Sequence, residues 1–109
     1  MLEPVLGSLN CERALIFLAA RDEGYAREIA AFYTSSLAPV QKQLDKLEAG
    51  GVLVSRVIGR TRLYQFNPRY PLLAELRAFL DKALTFYDLE LQDRLLLDRR
   101  RPRRRAKPL

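Results

Sequence analysis

Ser36, Gln41 and Lys42 fall around the start of one helical stretch, and Arg56, Arg60 and Arg62 fall around a tight turn some fifteen residues later. These side chains donate hydrogen bonds or carry positive charge, and none is a strong nucleophile or a general base at neutral pH. Such groups suit the recognition of base edges and phosphates. A glutamine amide can pair with adenine, a lysine reaches a phosphate or guanine, and guanidiniums grip the backbone. Ser36 stands where a hydroxyl can cap a helix or donate to a phosphate at its N-terminus. Leu37, Ala38 and Pro39 lie between the polar residues and are shaped to touch thymine methyl groups. Alternation along a strand puts Arg60 and Arg62 on a common face. Each residue also has a plainer reading: solvated helix surface for Gln41 and Lys42, and charge that keeps an edge hairpin from pairing for the arginines. The pattern as a whole, rather than any one position, points to duplex DNA.

Catalysis has little to stand on. The 109 residues contain no histidine and one cysteine, Cys11. That removes the usual general base, the Cys–His dyad, the Ser–His–Asp triad and most zinc sites. Gly50-Gly51 is a helix stop and lacks the G-x-x-x-x-G-K-[ST] pattern of a phosphate loop. Carboxylates such as Glu75, Asp81 and Asp88 are scattered along helix surfaces. We therefore expect no enzyme, no cofactor and no metal site. Cys11, on an amphipathic helix, reads as a small packing residue.

The elements that must position the polar residues can be read from periodicity and turn signals. Asn10 is the expected N-cap of a first helix over about 11–21, with Ala14, Leu15, Leu18 and Ala19 on its apolar side and Asp22-Glu23-Gly24 ending it. A second helix over about 25–33 turns Ala26, Ile29, Ala30 and Tyr33 inward and leaves Arg27 and Glu28 outside. Thr34-Ser35-Ser36 supplies a turn. A third helix over about 37–49 carries Val40, Leu44 and Leu47 on one stripe, with Pro39 harmless in its first turn. Val52, Val54, Val57 and Ile58 then alternate up to Gly59-Arg60-Thr61, and Leu63, Tyr64 and Phe66 form the return strand. The order helix–turn–helix–strand–turn–strand predicts a mainly α fold with a small β-hairpin: a winged helix-turn-helix with a long C-terminal helix.

That last helix is expected to begin at Pro71 and to carry Leu72, Leu76, Phe79, Leu80, Ala83 and Tyr87 on its apolar side. If unbroken to about residue 99 it would span roughly 40 Å, more than a small body can cover. Its far half should pack on another copy or fold back. These six residues are the expected interface of a homodimer.

Nineteen Lys and Arg against 13 Asp and Glu give a net charge of +6. Seven of the cations, however, sit in the acid-free tail 99–109, RRRPRRRAKPL, leaving 12 basic and 13 acidic residues in 1–98. The expected folded part is nearly neutral, so its positive surface must be local to Lys42, Arg56, Arg60 and Arg62. The expected organisation is thus a winged-helix domain over 1–98 with a C-terminal dimerisation helix, then a basic, disordered tail. No apolar run reaches the ~18–20 residues of a membrane span, the first ten residues do not resemble a secretory signal, and a lone cysteine suits a reducing cytoplasm.

Arg27-Glu28-Ile29-Ala30, Ser36 to Leu44 and LDKLEAGGVLVSRVIGRTRLYQFNP resemble the ArsR-type winged-helix transcriptional regulators, over about residues 10–87 and most specifically over 44–68. The resemblance implies a cytoplasmic, dimeric repressor paired through its terminal helices, with Ser36 to Lys42 as recognition residues and Arg60 at the wing tip. Metal sensors of that type carry a Cys-x-Cys pair in the helix that here spans Ser36–Leu47, or His, Asp and Glu ligands on the last helix. Neither the cysteine pair nor any histidine is present, so metal sensing does not carry over. Two alternatives stay open. Leu37-Ala38-Pro39 is less polar than many recognition turns of the family and would serve an adaptor that docks on a neighbouring enzyme such as a nucleotidyltransferase. The arginine tail would serve non-specific nucleic-acid binding.

Overall fold

In the computed structural model, residues 1–97 are described; the expectations for the tail 99–109 lie outside them. The fold is built around α2 (Leu9–Arg21), in which every residue from Ala14 to Ala20 is buried. A helix that is apolar on all sides needs cover on all sides. α1 (Glu3–Leu6), α3 (Ala26–Phe32), α4 (Leu37–Ala49), α5 (Leu73–Leu84) and α6 (Leu89–Leu97) all pack on it. Its N-cap is Ser8, not the expected Asn10: Ser8 is extended and its Oγ accepts from the Cys11 N–H at 3.0 Å, two residues earlier than periodicity suggested.

The segment expected only to end the first helix instead forms a strand, β1 (Glu23–Tyr25). It pairs antiparallel with β3 (Thr61–Phe66), which pairs in turn with β2 (Leu53–Ile58), giving a sheet of order β1-β3-β2. Gly24 permits this. A Cβ there would lie 2.7 Å from Cε1 of the buried Phe17 ring, so only glycine lets β1 pass so close to α2.

α3 and α4 form the helix-turn-helix. Ala26, Ile29 and Ala30 of α3 and Val40 and Leu44 of α4 are buried, while Tyr33 and Leu47 are half-buried against the same core. α4 has the expected bounds. β2 and β3 meet at a tight turn where Gly59 takes φ +65°, a conformation that favours glycine. Leu53, Tyr64 and Phe66 point from the sheet into the core. The architecture is a mainly helical winged helix-turn-helix with a small three-stranded antiparallel sheet.

The long C-terminal helix is not continuous. Pro71 precedes α5 rather than opening it, and α5 ends at Leu84. Thr85 Oγ1 donates to the Lys82 carbonyl at 2.7 Å, and the Asp88 carboxylate accepts from the Leu91 N–H at 2.8 Å to start α6. The chain folds back: Leu95 is fully buried, and Arg21 on α2 donates to the carbonyls of Leu95 and Arg94, each at 3.0 Å. This corrects the expected interface. Leu80 and Ala83 belong to the chain's own core, and Leu76 and Tyr87 are half-buried against it, leaving Leu72 and Phe79 exposed. Phe86 and Leu89, on either side of the break, are 67% and 74% exposed. Among the described residues no helix is long and apolar enough to cross a membrane.

Candidate nucleic-acid interface

α4 is held by its buried stripe, so Leu37, Ala38, Pro39 and Lys42 face solvent and Gln41 is half-exposed. Ser36 takes the extended N-cap conformation, yet its hydroxyl makes no cap bond. The position is as expected and the capping bond is not. The first turn of α4 carries no acid, so its N-terminal N–H groups and positive dipole end meet no local countercharge.

The hairpin lies beside this helix. Arg60 and Arg62 of the wing, Leu37 and Gln41 of α4, and Arg27 at the start of α3 line one open cleft. Arg62 Nη1 donates to Ser55 Oγ at 3.1 Å, and Ser55 Oγ donates to Glu48 Oε2 of α4 at 2.6 Å, which fixes the wing against the helix. Among the described residues, no acid comes within ion-pair distance of Arg27, Arg60 or Lys42. Arg56 is not part of this group. It pairs in register with Leu63 on the opposite face of the sheet, and its Nη2 lies 3.9 Å from Glu23 Oε1. Its separation from Arg62 follows from the β2–β3 register, and its partner Glu23 depends on β1.

Arg27 is the residue that sequence reasoning missed. It read only as an outward position of α3, and nothing local revealed that α3 begins at the wing. Lys46 is a second. With Ala38, Lys42 and Ala49 it lines a shallow groove along the other flank of α4, one helical turn beyond Lys42.

Gln41 is engaged within the protein. Its Nε2 donates to Asp45 Oδ1 and to Tyr64 Oη, both at 2.9 Å, while Tyr64 Oη lies 3.4 Å from Asp45 Oδ1. Burial pushes the Tyr64 phenol above its ordinary range, with Asp45 and Glu48 adding to the effect, so it stays a neutral donor. Cys11 is buried and its thiol is likewise raised by burial, the profile of an inert packing residue. Among the described residues no three His, Cys, Asp or Glu side chains come together as metal ligands do.

No protein-family model matches the chain. No curated protein matches it in sequence either. Solved structures do share its fold. An apo-form double mutant of ZitR from Lactococcus lactis superposes with a TM-score of 0.54 at 21% identity, covering 80% of this chain and 74% of that one. The transcriptional regulator BldR from Sulfolobus solfataricus gives 0.57 at 15% identity, covering 89% and 67%. The adhesin competence repressor AdcR from Streptococcus pyogenes gives 0.54 at 20% identity, covering 84% and 72%. At these identities the likeness concerns the fold, a winged helix shared with proteins of which BldR is described as a transcriptional regulator and AdcR as a repressor.

Proposed function

We propose that this chain is a DNA-binding transcriptional regulator, a repressor of the cytoplasm rather than an enzyme. It lays the first turns of α4 in a major groove and sets the β2–β3 hairpin beside it on the backbone. The observation that carries this reading is the convergence of Arg27, Arg60 and Arg62 on one cleft beside the unneutralised N-terminus of α4, in a body whose residues 1–98 carry about equal numbers of acids and bases. A nearly neutral fold that leaves Lys42 on this helix and Arg27 and Arg60 beside it without an acidic partner among the described residues suits a phosphate backbone. In this reading Ser36, Arg60 and Arg62 meet phosphates, Lys42 a phosphate or guanine, and Leu37, Ala38 and Pro39 thymine methyls. Arg56 stands apart on the far face. The likeness to the regulators BldR and AdcR and the ArsR-type resemblance over about residues 10–87, most specific over 44–68, favour the same conclusion.

The regulator acts as a homodimer. One winged helix reads only a few base pairs, and two-fold pairing sets two half-sites about one helical turn of DNA apart. Leu72, Phe79, Phe86 and Leu89 form the apolar surface for pairing. A gel shift with DNA from upstream of its own gene tests binding. The expected result is a complex that survives competitor DNA and is lost in Lys42→Ala and Arg60→Ala; no shift at moderate salt overturns the reading and favours the adaptor. Light scattering tests the dimer, which a monomer at micromolar concentration overturns.

A further inference from the structure

The hydrogen bonds around Gln41 decide which base it can read. A primary amide has two N–H donors and one oxygen with two lone pairs, and pairing bidentately with adenine needs one donor and the oxygen together. Here both donors are taken up within the protein. One goes to Asp45 Oδ1 and the other to Tyr64 Oη, each at 2.9 Å. The orientation is dictated by chemistry, because turning the amide over would place its oxygen against the Asp45 carboxylate. Asp45 sits one helical turn along α4, where an i,i+4 partner belongs. Tyr64, 1% exposed, is anchored in the core, so its hydroxyl is a fixed acceptor. Among the described residues no donor reaches the Gln41 oxygen, which is left for the cleft and the outer face of α4.

We infer that Gln41 is a single-acceptor base reader, held so by Asp45 and Tyr64, that takes a hydrogen bond from the exocyclic amine of adenine or cytosine and does not distinguish the two. Guanine and thymine show a carbonyl oxygen at the corresponding major-groove position and are rejected, since an oxygen facing an oxygen leaves two acceptors unpaired. Asp45 and Tyr64 are positioning residues; they act on specificity through the amide they hold. This inference rests on α4 lying in the major groove, as proposed above. It replaces the simple Gln–adenine pairing expected from the sequence with a two-base preference.

Selection of bound sites from a random duplex pool by the full chain, at one fixed salt concentration, tests it. The wild type should yield a site with one position shared by adenine and cytosine, and Gln41→Ala should erase the preference there alone. Asp45→Asn keeps an oxygen beside the amide while removing the charge, so the mixed position should persist as overall binding tightens. Asp45→Ala with Tyr64→Phe frees both donors, and adenine should then be preferred over cytosine by about tenfold, as for a bidentate pair. Asp45→Ala alone, a change at an exposed side chain, frees one donor and should shift the preference the same way if the double variant does not fold. The inference is overturned if the position sensitive to Gln41→Ala is guanine, thymine or adenine alone in the wild type, or if freeing the donors leaves it mixed. A pool that enriches no sequence overturns the DNA reading and this inference together. An enriched site without the mixed position overturns this inference only.

Discussion

The junction where α2 meets α6 and the cleft between α4 and the wing both rely on arginine, and they use it in opposite ways. In the junction, Arg21 is 5% exposed, donates to two α6 carbonyls, pairs with Glu28 Oε2 at 3.7 Å and stacks over Phe17 and Phe32 at 4.6 and 5.0 Å. Arg94 reinforces it from α6, lying 4.5 Å over the same Phe32 ring and donating to the Phe32 carbonyl at 3.1 Å. The buried Glu12 ties the other end of α2, accepting from the Leu2 N–H and from the Tyr87 hydroxyl. In the cleft, Arg27 and Arg60 have no such partners among the described residues. Charge that is satisfied at every atom builds a scaffold; charge left facing solvent beside a helix N-terminus is held ready for something else.

The sharpest way to break this comparison is Arg21→Ala. The substitution strips two carbonyls and a part-buried glutamate of their partner and leaves a gap between two aromatic rings. Removing one member of a buried, paired set costs roughly 3–5 kcal/mol. Chemical denaturation should record a loss of that order, with α6 released first in hydrogen exchange. A loss below about 1 kcal/mol would mean that the junction is not what holds α6 down.

Gly24→Ala asks whether the junction reaches the wing. The new methyl group would press on Phe17, whose ring packs edge-to-face with Phe32 at 5.6 Å between centroids and carries Arg21 on its face. Overpacking of a filled core costs roughly 1–3 kcal/mol. Pairing Gly24→Ala with Phe17→Leu should recover part of that loss, relative to Phe17→Leu alone. If the single variant melts with the wild type, β1 is looser than its contacts imply.

Arg60→Ala should behave as the reverse of Arg21→Ala. Its stability should stay within about 0.5 kcal/mol of the wild type, as at most exposed positions. Its DNA affinity should fall roughly fivefold at 0.15 M salt, with the slope against log salt reduced by about 0.9, the signature of one lost phosphate contact. Arg56→Ala, on the far face of the sheet, should leave the slope unchanged. Equal effects of the two would erase the distinction between the faces of the wing.

Much of this arrangement was legible in the residues. Gly50-Gly51 and Gly59 punctuate the chain so strongly that α4 and the hairpin could be placed from the sequence, and the inward set Val40 and Leu44 follows from spacing alone. β1 could not be seen, since three residues make a strand only when β3 is there to pair with them. Folding back was one of the two outcomes that the length of the apolar run allowed, but the position of the break after Leu84 was not legible, because no glycine or proline marks it. Asp88 was the available signal, an N-cap residue in the middle of an apolar-periodic run, but the reward for breaking is tertiary: Arg21 and the core close over Leu95. Arg27 and the Gln41 amide were hidden for the same reason. The i,i+4 partner Asp45 can be read from the sequence, whereas Tyr64 arrives from 23 residues away.

The smallest expected effect lies at the turn that joins the two helices of the helix-turn-helix. Thr34 takes φ +53°, a left-handed conformation that a β-branched residue adopts at a cost of roughly 1–2 kcal/mol. It stays there because its N–H donates to the Ala31 carbonyl at 3.1 Å and the next N–H, of Ser35, to Ala30 at 2.9 Å, which together close α3 and aim the chain into α4. Asparagine tolerates that backbone better, and Thr34 is exposed, so nothing is lost from the core. Thr34→Asn should therefore stabilise the protein by about 0.5–1 kcal/mol in chemical denaturation while leaving DNA affinity within twofold. Glycine would relieve the same strain but give back a similar amount through the freedom it adds to the unfolded chain. A stabilised Thr34→Asn with intact binding would place strain at the entrance to α4 and none of the function in that strain. If stability rises and binding falls, the strained turn itself sets the angle at which α4 is presented, and the contrast between a buried junction and a separate, solvent-facing cleft would have to give way to a single mechanically coupled unit.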